Sequence, residues 1–323
     1  MLELSNVSFA YNSDPILKSI SFTLDQGKHL SVIGASGCGK TTLLEAIYGL
    51  LSFQGEISWG DKKITKPEDR LVPGEPFIKY LSQSFDLYPF HKVSENVGKH
   101  LKSIPLDEKQ DRIQELLEMV EMEDYADMQA KYLSGGQQQR VAIVQALAQE
   151  PELLLLDEPF SHIDQYRRNN LRRNIFNYLK EKNITCIVAT HDPTEVLSFS
   201  DDAIVMKEGE IMAHESPSHL YFNPKSRYVA TLFGEVSEVE ADVLWPSLNS
   251  NRKVLLYPHD LYVEEGATLS VKVVKSYFSG KDYLVEASNK GEKLFFNHPE
   301  LLERDIEVGL SADYNKLKGR LEQ

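Results

Sequence analysis

The chain has 323 residues, 41% hydrophobic and 26% charged, with 35 Lys and Arg against 49 Asp and Glu for a formal charge of −14. That length suggests two domains, and the composition is that of a globular, core-forming protein. The acidic balance argues against a nucleic-acid partner, because no general excess of cations is there to replace phosphate counterions. Two cysteines, Cys38 and Cys186, are too few for a disulfide framework and fit a reducing compartment. Met1-Leu2-Glu3-Leu4-Ser5-Asn6 lacks the basic-then-apolar pattern of a signal peptide. The longest apolar runs, such as Leu153-Leu154-Leu155-Leu156, are too short to span a bilayer, so a cytoplasmic location is expected.

Residues 1–28 alternate in the manner of strands, with Leu2, Leu4, Val7 and Phe9, then Ile16, Ile20, Phe22 and Leu24. Tyr11 ends the first of these, where an aromatic can either stack on a purine base or close the strand as a core residue. The apolar run Leu30-Ser31-Val32-Ile33 then leads into Gly34-Ala35-Ser36-Gly37-Cys38-Gly39-Lys40-Thr41-Thr42, and Leu43 to Tyr48 continue as a helix. This is the spacing G-x-x-x-x-G-K-[ST] in a strand–turn–helix setting, a phosphate-binding loop. Gly34, Gly37 and Gly39 let the backbone wrap around an anion and aim N–H groups at it, and the helix start adds its positive dipole end. Lys40 supplies a mobile cation for the outer phosphates, and Thr41 a hydroxyl for Mg²⁺. The loop by itself implies nucleoside-triphosphate binding and nothing finer. Cys38 sits where a helix start favours a thiolate, so alkylation there is expected to block nucleotide binding; the simpler reading is a small residue that fits the turn.

Further on, Gly55-Glu56-Ile57-Ser58-Trp59-Gly60 reads as strand and hairpin, and Phe77 to Gln83 as a strand ending on a polar residue. Phe85, Leu87, Tyr88, Pro89 and Phe90 follow as an aromatic loop, either packed on the domain or presented to a partner. Residues 93–131 look helical, with Ile113, Leu116, Leu117 and Val120 on one face. Leu133-Ser134-Gly135-Gly136-Gln137-Gln138-Gln139-Arg140 opens another helix with Ser134 as its N-cap, a second helix start suited to an anion. A plain capped helix has no need of Gly-Gly followed by three glutamines. The four leucines 153–156 then form a strand buried on both faces that runs out into Asp157-Glu158. Carboxylates at such a strand end stand where α/β folds place their chemistry: Asp157 can hold Mg²⁺ through water, and Glu158 can polarise an attacking water. A helix over residues 166–182 and the strand Thr185-Cys186-Ile187-Val188-Ala189-Thr190 bring the chain to His191, placed to donate to a γ-phosphate. The expected fold class is α/β, a parallel-rich sheet with helices on its faces.

With Leu133-Ser134-Gly135-Gly136-Gln137, Gln83, Asp157-Glu158, Ser161-His162-Ile163-Asp164 and His191 in this order, residues 1–235 resemble the cassette of ATP-binding cassette (ABC) ATPases, with a helical subdomain over residues 84–140. The resemblance implies ATP and Mg²⁺ as cofactors. Tyr11 would stack on adenine, and Gly34, Ser36, Gly37, Cys38, Gly39, Lys40, Thr41 and Thr42 would bind phosphates. Thr41, Gln83 and Asp157 would serve the metal, Glu158 would be the general base, and His191 the γ-phosphate switch. Ser134, Gly135, Gly136 and Gln137 would cap the nucleotide of the opposite subunit, which implies a head-to-tail homodimer. Ile163 stands where the family commonly has leucine, with His162 before it, a mild departure. From Val236 the chain shifts to short strands: Val254 to Tyr257, Leu261 to Val263, Leu269 to Val274, Tyr283 to Val285 and Leu294 to Phe296. This spacing suggests a small β-barrel or sandwich. Tyr257-Pro258-His259-Asp260-Leu261 is similar to the R-P-E-D/H-L stretch of TOBE (OB-like) domains of importer ATPases, with tyrosine in place of arginine. The resemblance thus implies a P-loop ABC cassette followed by an all-β, OB-like domain over residues 236–323. It also implies an importer ATPase with permease and solute-binding partners; an exporter ATPase or a soluble cassette protein are the alternatives.

Overall fold

The run Leu153-Leu154-Leu155-Leu156 decides the architecture. Leu153 and Leu155 belong to one buried core, Leu154 and Leu156 to another. Successive side chains of a strand point to opposite faces, and a strand apolar on both belongs inside a covered parallel sheet. The structure, a computed structural model, describes every residue except Leu71, Lys102, Ser103, Asn249, Glu322 and Gln323, and all side chains of the rest but that of Gln165. The chain divides into two units, Met1–Pro217 and Ser218–Gln323.

The first unit runs β1 (Leu2–Tyr11), β2 (Asp14–Leu24), β3 (His29–Ile33), α1 (Lys40–Tyr48), β4 (Gln54–Trp59), β5 (Lys62–Lys63) and β6 (Ile78–Leu81). It continues through α2 (Val93–Val97), α3 (Leu106–Met119), α4 (Gly135–Leu147), β7 (Leu153–Asp157), α5 (Gln165–Glu181), β8 (Thr185–Thr190), α6 (Pro193–Phe199), β9 (Asp202–Lys207) and β10 (Glu210–Glu215). One sheet has the order β10-β9-β3-β8-β7-β6, parallel except for β10; the other is the antiparallel sheet β2-β1-β4-β5. The α1 helix lies in the core between these sheets with Leu43, Leu44 and Ile47 buried, while α2, α3, α4 and α5 cover the opposite face of the parallel sheet. All the parallel strands except β6 hold their neighbours on both sides, so β3, β7 and β8 end side by side at one carboxyl edge. The helical stretch expected over residues 93–131 is broken instead into α2, α3 and short 3₁₀ turns. Pro105 caps the start of α3, since its ring disfavours a helical residue before it, and Gly98 closes α2.

The second unit contains α7, which begins at its boundary (Pro217–Phe222), α8 (Arg227–Thr231), β11 (Ser237–Glu240), α9 (Ala241–Leu244), β12 (Lys253–Leu256), β13 (Leu261–Val263), β14 (Leu269–Phe278), β15 (Tyr283–Asn289), β16 (Glu292–His298), β17 (Glu307–Ala312) and α10 (Tyr314–Leu317). Its main sheet has the antiparallel order β13-β17-β14-β15-β16, and β13 also approaches β16, curling the sheet towards a barrel around Val271, Val285, Phe296 and Leu310. Residues 218–235, grouped with the cassette in the sequence reading, pack within this unit. Tyr221 stacks on Tyr257 with centroids 4.7 Å apart, and the Tyr257 hydroxyl donates to the Ala230 carbonyl at 3.3 Å. Where the resemblance has arginine, Tyr257 is buried, and a guanidinium reaches it from the far end of the chain: Arg320 lies over its ring and bonds Asp260 at 2.7 Å.

Candidate nucleotide-binding and catalytic site

The loop between β3 and α1 is shaped by its glycines and by what stands behind them. Gly39 has φ 105°, a left-handed conformation that a side chain resists, and a Cβ there would meet the Ile16 carbonyl at 3.0 Å. A Cβ on Gly34 would meet the Met206 carbonyl at 2.3 Å and Cys38 Sγ at 2.7 Å, so this glycine and the buried Cys38 pack behind the loop. The β9–β10 turn braces the loop from outside. Gly209 N–H donates to the Cys38 carbonyl at 3.1 Å, and Lys18 N–H donates to the Gly209 carbonyl at 2.9 Å. Lys40 Nζ bridges the loop by donating to the carbonyls of Gly34 (2.8 Å) and Ala35 (3.1 Å).

In front of the loop lies a cavity of about 290 Å³ lined by Tyr11, Ile16, Ser36, Gly37, Gly39, Lys40, Thr41, Thr42, Gln83 and Glu158. Tyr11 is half exposed there and meets Phe9 in an edge-to-face pair with centroids 4.8 Å apart. The Thr41 hydroxyl donates to Asp157 Oδ2 at 2.8 Å, while Asp157 Oδ1 is buried without a hydrogen-bond partner. Burial, more than any neighbour, pushes the Asp157 carboxyl up; the Thr41 hydroxyl pulls the other way and Glu158 adds to the rise. Burial and Asp157 likewise raise the Glu45 carboxyl, one turn along α1 from Thr41. An orphaned buried carboxylate oxygen beside a hydroxyl is a hard-oxygen donor set that fits Mg²⁺. Among the described residues no group of three or more His, Cys, Asp or Glu could hold a metal ion by itself. The remaining ligands would have to come from waters, Gln83 and the phosphates.

Glu158 adopts φ 48°, strained for a residue with a Cβ, and is held in it from several sides. Its N–H donates to the Ala189 carbonyl at 2.9 Å, and its own carbonyl accepts from Gln139 Nε2 at 3.1 Å and Ser161 Oγ at 3.0 Å. His191 Nδ1 lies 3.1 Å from Glu158 Oε1. His191 faces a second cavity of about 310 Å³, shared with Glu158, Ser161, Arg168 and Asp192. Behind it the buried Arg172 donates to Asp192 Oδ2 at 2.5 Å and to Glu195, and Arg168 holds the Ile163 carbonyl.

Of the expected residues, Tyr11, Ser36, Gly37, Gly39, Lys40, Thr41, Thr42, Gln83 and Glu158 therefore meet at one cavity, and Asp157 joins it through Thr41. Gly34 and Cys38 lie behind the loop, His191 faces the second cavity, and the Ser134 group stands apart. Ser134 and Gln137 close a capping box, Gln137 N–H to Ser134 Oγ at 3.3 Å and Ser134 N–H to Gln137 Oε1 at 2.8 Å, outside the cavity lining. A Cβ on Gly135 would meet nothing within 4 Å, whereas one on Gly136 would lie 2.7 Å from the His162 carbonyl. Sequence reasoning missed Gln139, Arg168 and Arg172, and it read Glu208 to Ile211 as a hairpin turn without its brace on the loop. The run of three glutamines was the one available signal for Gln139.

Against known proteins, the chain is 36% identical over 263 residues to the Fe(3+) ions import ATP-binding protein FbpC of Escherichia coli O157:H7, covering 80% of this chain and 73% of that protein. This chain belongs to the ABC transporter family. The ABC transporter match itself spans residues 17–161. Over 311 residues the chain is also 32% identical to the Spermidine/putrescine import ATP-binding protein PotA of Pasteurella multocida, covering 88% and 83% of the two. Among solved ABC structures, the dimeric cassette MJ0796 in a post-hydrolysis state with ADP and Pi aligns at TM-score 0.58 and 28% identity, over 67% of this chain and 99% of that one. The cbiO1 protein of Clostridium perfringens, part of the complex cbiONQ, aligns at TM-score 0.59 and 28% identity, over 68% and 89%. As an ABC ATP-binding subunit the chain is an ATPase.

Proposed function

We propose that this ABC subunit powers a solute importer as a head-to-tail homodimer on the inner face of the cell membrane, each nucleotide held between the P-loop of one copy and Ser134 to Gln137 of the other. One observation carries the reading: the P-loop, Gln83 and Glu158 share a cavity, with Asp157 hydrogen-bonded to Thr41 of that loop, while the second anion-suited helix start lies outside it with Ser134 and Gly135 exposed. Lys40 would leave the Gly34 and Ala35 carbonyls for the outer phosphates. Tyr11 would stack on the base. Thr41, Asp157 and Gln83 would hold Mg²⁺, which when bound neutralises charge on the phosphoryl oxygens. Glu158 would accept the proton of the attacking water, and His191, 3.1 Å from the Glu158 carboxylate, would fix it and donate to the transferred phosphoryl group.

The permease would dock beside the Gln83 loop, where a groove of about 370 Å³ runs past Tyr80, Ser84, Asp86 and Lys99 and where Tyr88 and Phe90 are exposed. Residues 236–323 would form the TOBE-like regulatory or dimerising domain. The relatives' roles in Fe(3+) and spermidine/putrescine import make a cationic solute, delivered by a binding protein, the proposed cargo.

Glu158→Gln tests the chemistry. Turnover should fall at least about 100-fold and an ATP-bound dimer should accumulate by size-exclusion chromatography with light scattering. Turnover within a few-fold of the parent would remove Glu158 as base. Co-purification of a polytopic permease from detergent-solubilised membranes supports the transport reading; a stoichiometric soluble complex without a membrane protein would overturn it.

A further inference from the structure

His162, which stands just before the Ile163 that takes the place of the family's common leucine, touches three parts of the site. Its ring meets the Phe85 ring edge-on, centroids 5.7 Å apart at 84°. Phe85 lies two residues beyond Gln83 and packs on the helical core. The His162 carbonyl sits so close to Gly136 that a Cβ there would lie 2.7 Å away.

From His162 two hydrogen-bonded arms run to one atom. In the first, Ser161 Oγ lies 3.1 Å from His162 Nδ1 and donates its only proton to the Glu158 carbonyl at 3.0 Å. That hydroxyl must then accept from His162, which places a proton on Nδ1. In the second, His162 N–H donates to Gln139 Oε1 at 3.1 Å, and Gln139 Nε2 donates to the same Glu158 carbonyl at 3.1 Å. Both arms point the same way, donor to acceptor, and chains of this kind reinforce each bond in them. They end on the peptide that holds Glu158 at φ 48°.

We infer that His162 is a positioning residue that ties the loop of Gln83 and Phe85 to the backbone of Glu158, so that displacement of Phe85 is felt at the base. This rests on the reading of Glu158 as base. Movement of Phe85 withdraws the edge that orients the imidazole; Nδ1–H then leaves Ser161, and the Ser161 bond to the Glu158 carbonyl loses the donor that reinforces it, so the strained backbone is pinned less firmly. A residue on the surface of the cassette, outside the nucleotide cavity, thereby reports the state of the loop to the carboxylate.

The test is a double-mutant cycle on the full chain. His162→Asn keeps a donor near the Nδ1 position and removes the ring; Phe85→Leu keeps an apolar side chain and removes the other ring. Each should lower kcat by about fivefold, the size an edge-to-face pair supports, with KM for ATP unchanged. The double variant should be no slower than the slower single, because both break one contact. A double variant near the product of the two effects, about 25-fold, overturns the inference, as does an unchanged kcat in both singles. Thermal melting of the nucleotide-free variants separates this from loss of fold: a merely structural pair would lower the melting temperature and leave the kcat effects additive. Glu158→Gln, run beside them, keeps the two readings apart. If it retains turnover the base is misassigned, whatever the cycle shows; if it abolishes turnover and the cycle is additive, only the link through His162 falls.

Discussion

Gly136 shows what a single methyl group would do in this site. Alanine is the better helix former by about 1 kcal/mol, so Gly136→Ala should not weaken α4 as a helix. Its Cβ would nevertheless lie 2.7 Å from the His162 carbonyl and push the loop after Glu158 outward. Turnover should fall at least about tenfold while the melting temperature holds, read on the same preparation. His29 makes the opposite case, a residue that matters for stability and not for chemistry. It is 1% exposed on β3 against Phe176, and burial, assisted by Lys180, pushes its pKa down to about 4. The unfolded chain takes a proton there near pH 6.5, which the folded chain refuses until about pH 4. Stability from this residue is therefore complete above pH 6.5 and is lost as the pH falls towards 4, about 3 kcal/mol in all. Urea titrations from pH 7 to 4.5 should show that slope, and His29→Phe should flatten it.

Among the elements, the loop from Tyr88 to Lys92 is organised by one buried amide on α2. Asn96 accepts from the Tyr88 N–H at 2.7 Å and donates to the carbonyls of Tyr88 (3.1 Å) and Lys92 (3.0 Å). Asn96→Ala leaves these groups unpaired, at about 1–3 kcal/mol, and should make the loop a site of limited proteolysis. Intact resistance to protease would mean that the aromatic rings hold the loop by themselves. Sequence reading reached the strands, the P-loop and the ends of β7 and β8 because those depend on local patterns: alternation, glycine spacing, and carboxylates at a strand end. It did not divide the three glutamines, which the fold uses in three ways. Gln137 closes the cap, Gln138 holds the Leu133 carbonyl at 3.1 Å, and Gln139 reaches Glu158. Nor did it foresee the Gly209 brace behind Cys38 or Arg320 over Tyr257, since contacts so distant along the chain leave no periodicity to read. The break in the helices after α2 was legible in Pro105, and Ile113, Leu116, Leu117 and Val120 keep their spacing only beyond it, on α3 and its C-terminal cap.

For the whole molecule, a site completed by a second copy predicts complementation. Lys40→Ala and Ser134→Arg should each silence the homodimer, yet an equal mixture should regain turnover, since one of the two composite sites in a mixed pair is intact. No recovery on mixing would mean that Ser134 serves its own chain. The four leucines of β7 carry a different consequence, for the way the first unit comes apart. Because alternate leucines are fixed in separate cores on the two faces of one strand, neither face can melt while the other stays whole. Amide hydrogen exchange should therefore find α1 on one side and α4 on the other opening together, as a single unit with the slowest-exchanging amides on β7.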